Sequence, residues 1–506
     1  MRIPGLPLVL SLLLATSAAA HDGGHGGDAP SVPASASVGD VDFANSGAPA
    51  AQSAFRLGLA QLHNFEYAAA IEAFRQAQAA DPDFAMAYWG EALAYTHPIW
   101  MEQDIDAARA ALARLGPTPE ARAAKAPTAR EKAWLATVEV LYGEGSKEER
   151  DRLYSAAMGE LSARYPDDVD ARAFHGLSIL GLAHEGRDTA IYMRAAAVLE
   201  EAFLENRRHP GVLHYLIHSY DDPDHAPLGL RAARLYADVA GEAGHAVHMT
   251  SHIFLALGLW DDTAAMNERA QGVVNRQRAA RGQPPSSCGH YAEWLVYAEL
   301  QRGRTAEADA VIDGCLVEAR SGLAAQGPGP GARAVRSWSD MALRRLIETG
   351  DWPDERLQAP ARGFPETRLH LAYGDVLAAR DAAGAAAAHT RLQSVAEDLR
   401  RIGRPGTAEA RYTERRLEVL LAQSAGLAAL RAGKAEEGVS ELRRAVELEV
   451  ALPVEFGPPA IEKPGYELLA EELARLGRAD EAARAWSAAL ARAPGRRLSA
   501  QGLSGR

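Results

Sequence analysis

The stretch LGLAQLHNFEYAAAIEAFRQAQAADPDFAMAYWGEA, residues 57–92, decides the fold. Ala70, Phe74 and Ala77 stand at i, i+4 and i+7, so they share one face of a helix. Alanine on that face permits close approach, and Phe74 fills the gap between two helices. Leu57-Gly58 belongs to a preceding helix. Asp81-Pro82-Asp83 ends the second one, since proline has no N–H for the helical ladder. Ala87-Tyr88-Trp89-Gly90-Glu91-Ala92 then opens another unit. The unit is a helix–turn–helix of about 34 residues. Ala482, Trp486, Ala489 and Pro494 repeat the spacing near the C-terminus.

Helix pairs of this kind recur between those ends. Asp170–Ala183 pairs with Ala195–Glu205, Gly211–Tyr220 with Leu228–Ala240, and His245–Leu257 with Asp261–Val273. His290–Arg302 pairs with Ala306–Glu318, Leu417–Ala432 with Ala435–Val446, and Tyr466–Leu476 with Ala479–Ala491. Gly327–Gly331 and Glu455–Pro464 interrupt the pattern, and Trp352–Pro365 is poorly periodic. The expected organisation is a repeat array over 51–350, a weakly periodic helical segment over 351–410, and further repeats over 411–506. Stacked hairpins of this kind make an all-α solenoid.

Composition agrees. The 506 residues are 47% hydrophobic, enough for a packed core, and only 7% aromatic. Abundant alanine favours close-packed helices over sheets. The net charge of −13 disfavours nonspecific nucleic-acid binding, which needs a basic face. Two cysteines cannot build a disulfide scaffold. Met1–Ala20 reads as a secretory signal: Arg2, an apolar run over Leu6–Ala15, and Ala18-Ala19-Ala20 for cleavage. No other segment is apolar enough to span a membrane, so the mature chain is expected in the periplasm or outside the cell. Residues 21–50 read as a flexible linker, with His21 and His25 offering at most a terminal chelate for copper or zinc.

Histidine placement is the most pointed feature. Seven of the sixteen lie between 209 and 252. His214 and His218 form one H-x-x-x-H, and His248 and His252 another, offset by one period (248 − 214 = 34; 252 − 218 = 34). Spacing of i, i+4 puts both imidazoles of a pair on one helix face. Imidazole is a preferred ligand of zinc and copper. One helix cannot close the coordination shell, so an ion would take one pair plus residues of the adjoining repeat. Asp221, Asp222 and His225, just after His218, are candidate ligands or outer acceptors. The alternative is a set of histidines that hydrogen-bond one another, the aspartates and a polar ligand. A hydrolytic metal enzyme would further need a carboxylate base, Glu293 or an aspartate of the 221–224 turn. No H-E-x-x-H, G-x-S-x-G or Walker signature supports that step. Cys288 and Cys315 flank the ends of one expected hairpin, where a disulfide would staple a repeat; the alternative is a free thiol beside His290.

The helical unit resembles the tetratricopeptide repeat. More specifically, His63-Asn64-Phe65-Glu66-Tyr67, Asp81–Ala92, His214-Tyr215-Leu216-Ile217-His218-Ser219-Tyr220-Asp221-Asp222-Pro223-Asp224-His225, His248-Met249-Thr250-Ser251-His252-Ile253-Phe254 and Pro494-Gly495-Arg496-Arg497-Leu498-Ser499 are similar to an exported bacterial family of such repeat proteins, which has no assigned activity. The resemblance implies a right-handed superhelix of helix hairpins. It also implies a concave groove that captures a protein or peptide partner. In that register Trp89, His175 and Glu293 share a groove position with His214 and His248. Tyr297 shares one with His218 and His252, His245 shares one with His290, and His63 shares one with His97. The expected function is a binding scaffold, with metal binding and a metal-dependent hydrolase as alternatives.

Overall fold

A computed structural model describes residues 37–325, 330–357, 364–404 and 406–505. The expected signal, the first part of the linker and Gly327–Gly329 lie outside them. Among the described residues the regular structure is helical, apart from a two-stranded ribbon that pairs Thr96–His97 with Glu102–Gln103. Helix hairpins of the tetratricopeptide kind follow one another: Gln52–His63 with Tyr67–Ala80, Val169–Leu180 with Thr189–Glu205, Pro210–Tyr220 with Ala226–Val239, Gly244–Ala256 with Trp260–Ala280, and His290–Gln301 with Thr305–Ala325. Gly465–Arg475 with Ala479–Arg492 closes the series near the C-terminus.

Small residues set the helix spacing. Phe74 is fully buried, and a Cβ added at Gly58 or Gly90 would meet its ring at 2.8 and 2.3 Å. Only glycine lets both neighbouring helices rest on that ring. Trp486 plays the same part against Gly502, at 2.2 Å. The segment 351–410, read as weakly periodic, contains the helices Pro365–Ala378 and Ala382–Ile402, which pack as another hairpin.

First helices of successive hairpins touch one another, Val169–Leu180 and Gly244–Ala256 each against Pro210–Tyr220, and Gln52–His63 also reaches Pro210–Tyr220. The inner layer therefore curls tightly. Two segments of the chain lie on it. The first is 37–48, expected to belong to a flexible linker. Its Val38, Val41 and Phe43 are buried, and Phe43 stacks on Trp89. Asn64 Nδ2 donates to Val38 O at 2.7 Å, and Ser46 N–H donates to Glu131 Oε1 at 2.7 Å. Apolar burial and satisfied backbone groups hold this stretch, so the linker reading ends too late. The second is the excursion around 453–463. Arg416 Nε donates to Ala460 O at 3.2 Å, and Gln423 Nε2 donates to Lys463 O at 3.0 Å.

Candidate metal centre

The helices Pro210–Tyr220 and Gly244–Ala256 each present a histidine pair inward, and the adjoining first helix supplies a third imidazole. His214, His218 and His245 form one trio; His248, His252 and His290 form the other. Within each trio one ligand atom per residue lies within 4.8 Å of the others. Five of the six residues are buried, and His290 is half-buried. The two trios adjoin: the His218 and His252 rings, and the His245 and His248 rings, have centroids 6.2 Å apart.

Hydrogen bonds fix the ring orientations. Asn267 Nδ2 donates to Thr263 O at 2.8 Å, which turns Asn267 Oδ1 toward His248. His248 Nδ1–H donates to that oxygen at 2.7 Å. His252 Nδ1–H donates to Asp221 Oδ2 at 2.5 Å. With each Nδ1–H so committed, two neutral rings would turn both Nε2 atoms to each other as lone pairs. These two atoms are 3.0 Å apart, and His290 Nε2 lies 3.0 Å from His248 Nε2. Two lone pairs at that separation repel each other unless a proton or a metal ion lies between them. Ligand nitrogens around tetrahedral zinc, at Zn–N of about 2.0–2.1 Å, are separated by about 3.3 Å. Trp294 covers His252 and His248, with ring centroids 4.4 and 4.7 Å away, and Phe456 packs on His252 at 5.6 Å. The donors are therefore all nitrogen, in an apolar shell, with outer acceptors on two of the three rings.

In the other trio, His214 Nδ1–H donates to His63 O at 2.7 Å. Burial is the main force on the His214 imidazole, and it lowers the pKa to about 3. The ring stays neutral, as a ligand must be.

A third cluster shows the contrast. In His63, Asp170 and His209, too, one ligand atom per residue lies within 4.8 Å of the others. Here His63 Nε2–H and His209 Nε2–H both donate to Asp170 Oδ1, at 2.8 and 3.1 Å. His63 Nδ1 accepts from Tyr215 Oη, and His209 Nδ1 accepts from Val212 N–H. Burial lowers His63 to about 4, against the opposing pull of Asp170. Every ring nitrogen is satisfied, so this is a hydrogen-bonded core cluster.

The remaining expected site residues divide. Asp221 stands behind His252 as an outer acceptor. Asp222 turns away: its carboxylate takes His225 Nδ1 at 2.8 Å and Arg187 Nη2 at 2.7 Å. Glu293 faces Arg336 at 3.8 Å, and burial raises its pKa. Tyr297 Oη accepts from Arg496 Nη1 at 2.9 Å. His97 stacks on Tyr67, with centroids 3.9 Å apart, and His175 is half-buried beside Gly159. Trp89, His63 and Tyr297 are at most 2% exposed. Around Trp89 and the two trios the chain itself covers these positions, with Phe43 on Trp89 and Phe456 on His218 and His252. Cys288 and Cys315 are joined in a disulfide, with Cα atoms 4.9 Å apart.

Sequence reading missed Asn267, Trp294 and Phe456 altogether. It placed His245 and His290 at one register position but left them out of the metal set. That shared position was the available signal, since each supplies the third imidazole to the preceding pair.

No protein-family model matches the sequence, and no curated protein does. Among solved structures the chain is similar to Cut9–Hcn1 of the APC/C, at 10% identity and a TM-score of 0.32, covering 92% of this chain and 77% of that one. It is also similar to yeast Tom70, at 11% identity and a TM-score of 0.30, covering 90% and 94%. An IFIT1 monomeric mutant with Gppp-AAAA stands at 9% identity and a TM-score of 0.32, covering 92% and 83%. The fold assignment rests on the helix hairpins described above, not on these distant likenesses.

Proposed function

We propose that this chain is an exported metal-binding repeat protein that holds a divalent transition-metal ion, of the zinc or copper class, on His248, His252 and His290. One observation carries the reading: His248 Nε2 faces His252 Nε2 at 3.0 Å while each Nδ1–H is committed to an outward acceptor. Nitrogen donors without carboxylate or thiolate suit zinc, copper or nickel and disfavour magnesium and calcium. The signal-like Met1–Ala20 and the Cys288–Cys315 pair support an exported location.

A protein or peptide partner is supported by the repeat architecture alone. Where the chain covers its own inner face, such a partner would meet the outer helices instead. The hydrolase reading gains nothing, since Glu293 faces Arg336 at 3.8 Å.

Equilibrium dialysis of the untagged chain against Zn²⁺ tests the reading. The wild type should retain zinc against a micromolar competing chelator. The double variant His248→Gln/His252→Gln, with unchanged helical circular dichroism, should lose the ion held by this trio. Undiminished zinc in that variant would refute the proposal.

A further inference from the structure

We infer that His214, His218 and His245 hold a second metal ion of the same class, so that the chain carries two ions one repeat apart. The inference rests on the metal reading of the first trio and extends it.

The second set is the first set moved by one repeat. His214 maps to His248 and His218 to His252, each 34 residues on, and His245 maps to His290, 45 residues on (290 − 245 = 45). The eleven extra residues (45 − 34 = 11) are absorbed by the long helix Trp260–Ala280 and the connection to His290. In both sets an i, i+4 pair meets the imidazole at the start of the next first helix. Repeat proteins duplicate local geometry in this way, because each unit packs on its neighbours by the same rules.

The chemistry at His214 points to a ligand independently. Its Nδ1–H is spent on His63 O at 2.7 Å. Its Nε2 is fully buried and has no hydrogen-bond partner. A buried acceptor left in that condition is costly, and a cation removes the cost. The satisfied cluster of His63, Asp170 and His209 shows that this chain pairs its buried imidazoles where no ion is needed.

The backbone carries a third sign. Phe65 has φ of 58°, the left-handed region that a bulky residue rarely adopts. That conformation lays its ring on the trio, with centroids 4.3 Å from His214 and 5.7 Å from both His218 and His245. Strain of this kind persists where the surroundings enforce it, and such places cluster at ligand sites. Phe65 seals this trio as Trp294 seals the other.

The two ions differ in strength. A carboxylate, Asp221, stands behind His252, whereas a neutral carbonyl, His63 O, stands behind His214. An anionic outer partner makes the ring a better donor, so the ion on His214, His218 and His245 is the weaker one.

The test is metal stoichiometry. The untagged chain is stripped with a chelator, loaded with Zn²⁺ and desalted, and zinc per chain is counted by mass spectrometry of the elements. The wild type should carry two ions. His214→Gln/His218→Gln should carry one and lose the weaker of two binding steps, and His248→Gln/His252→Gln should carry one and lose the tighter. Circular dichroism confirms that each variant folds. A wild type holding one ion, unchanged in His214→Gln/His218→Gln, overturns the second site and leaves the first standing. A wild type holding none overturns both.

Discussion

Replacing Asn267 by leucine removes the acceptor that orients His248 while keeping the side-chain volume nearly constant. Asn267 is fully buried, accepts His248 Nδ1–H at 2.7 Å, and is itself anchored to Thr263 O at 2.8 Å. Without it, His248 is free to carry its proton on Nε2, the atom that must face the metal as a lone pair. Loss of such an outer partner typically costs 10–100-fold in metal affinity. That range corresponds to about 1.4–2.7 kcal/mol. The assay is a competitive titration of Zn²⁺ between the protein and a chromophoric chelator at pH 7.5. Asn267→Asp keeps an oxygen acceptor and should bind at least as tightly as the wild type. Thermal melting of the metal-free proteins separates positioning from stability, since the lost Asn267–Thr263 hydrogen bond alone is worth about 1 kcal/mol. If Asn267→Leu folds normally and binds zinc within about twofold of the wild type, where 10-fold or more is expected, the assignment of His248 Nε2 as a ligand is wrong.

Further outcomes follow from the same geometry. Zinc at a hundred times its dissociation constant should stabilise the chain by about 2.7 kcal/mol, so a chelator should lower the melting temperature; a melting curve indifferent to both would count against a site built into the folded core. Gly90→Ala places a Cβ 2.3 Å from the Phe74 ring and should destabilise the N-terminal repeats by about 1–3 kcal/mol in denaturant unfolding, partly recovered by adding Phe74→Leu. Burial lifts Glu449 to about 7, opposed by the Gly465 N–H that it accepts at 2.6 Å. A carboxyl raised in the folded state contributes stability below its ordinary pKa of 4.5, and this is lost as pH rises through 7. Glu449→Gln should therefore gain on the wild type between pH 4.5 and pH 7, reaching on the order of 2 kcal/mol, below the full shift because part of the side chain meets solvent. A difference independent of pH would contradict it.

The fold was legible because its signals are local. Ala70, Phe74 and Ala77 mark one helix face, and Gly58 and Gly90 mark the close approach around it. The i, i+4 pairing of His214 with His218 and of His248 with His252 was equally local. How the pairs combine was not. His245 and His290 join trios through superhelix curvature, which brings the start of one first helix against the middle of the preceding one. Asn267 lies on an outer helix with no motif of its own, and its role depends on a single hydrogen bond. The covering of the inner face was hidden for another reason. Residues 37–48 have the composition of a linker, and only Phe43 against Trp89 and the Ser46–Glu131 contact reveal that they are bound. Asp222 and His225 looked like ligands by proximity in sequence, yet Arg187 draws the aspartate aside.

Zinc-edge X-ray absorption on the loaded, untagged chain addresses the central claim most directly. The predicted spectrum has imidazole nitrogens at about 2.0–2.1 Å, with outer-ring scattering and no sulfur. It should lose amplitude per chain in His248→Gln/His252→Gln. A shell of oxygen alone, or no zinc left after desalting, would contradict a metal centre built from these histidines.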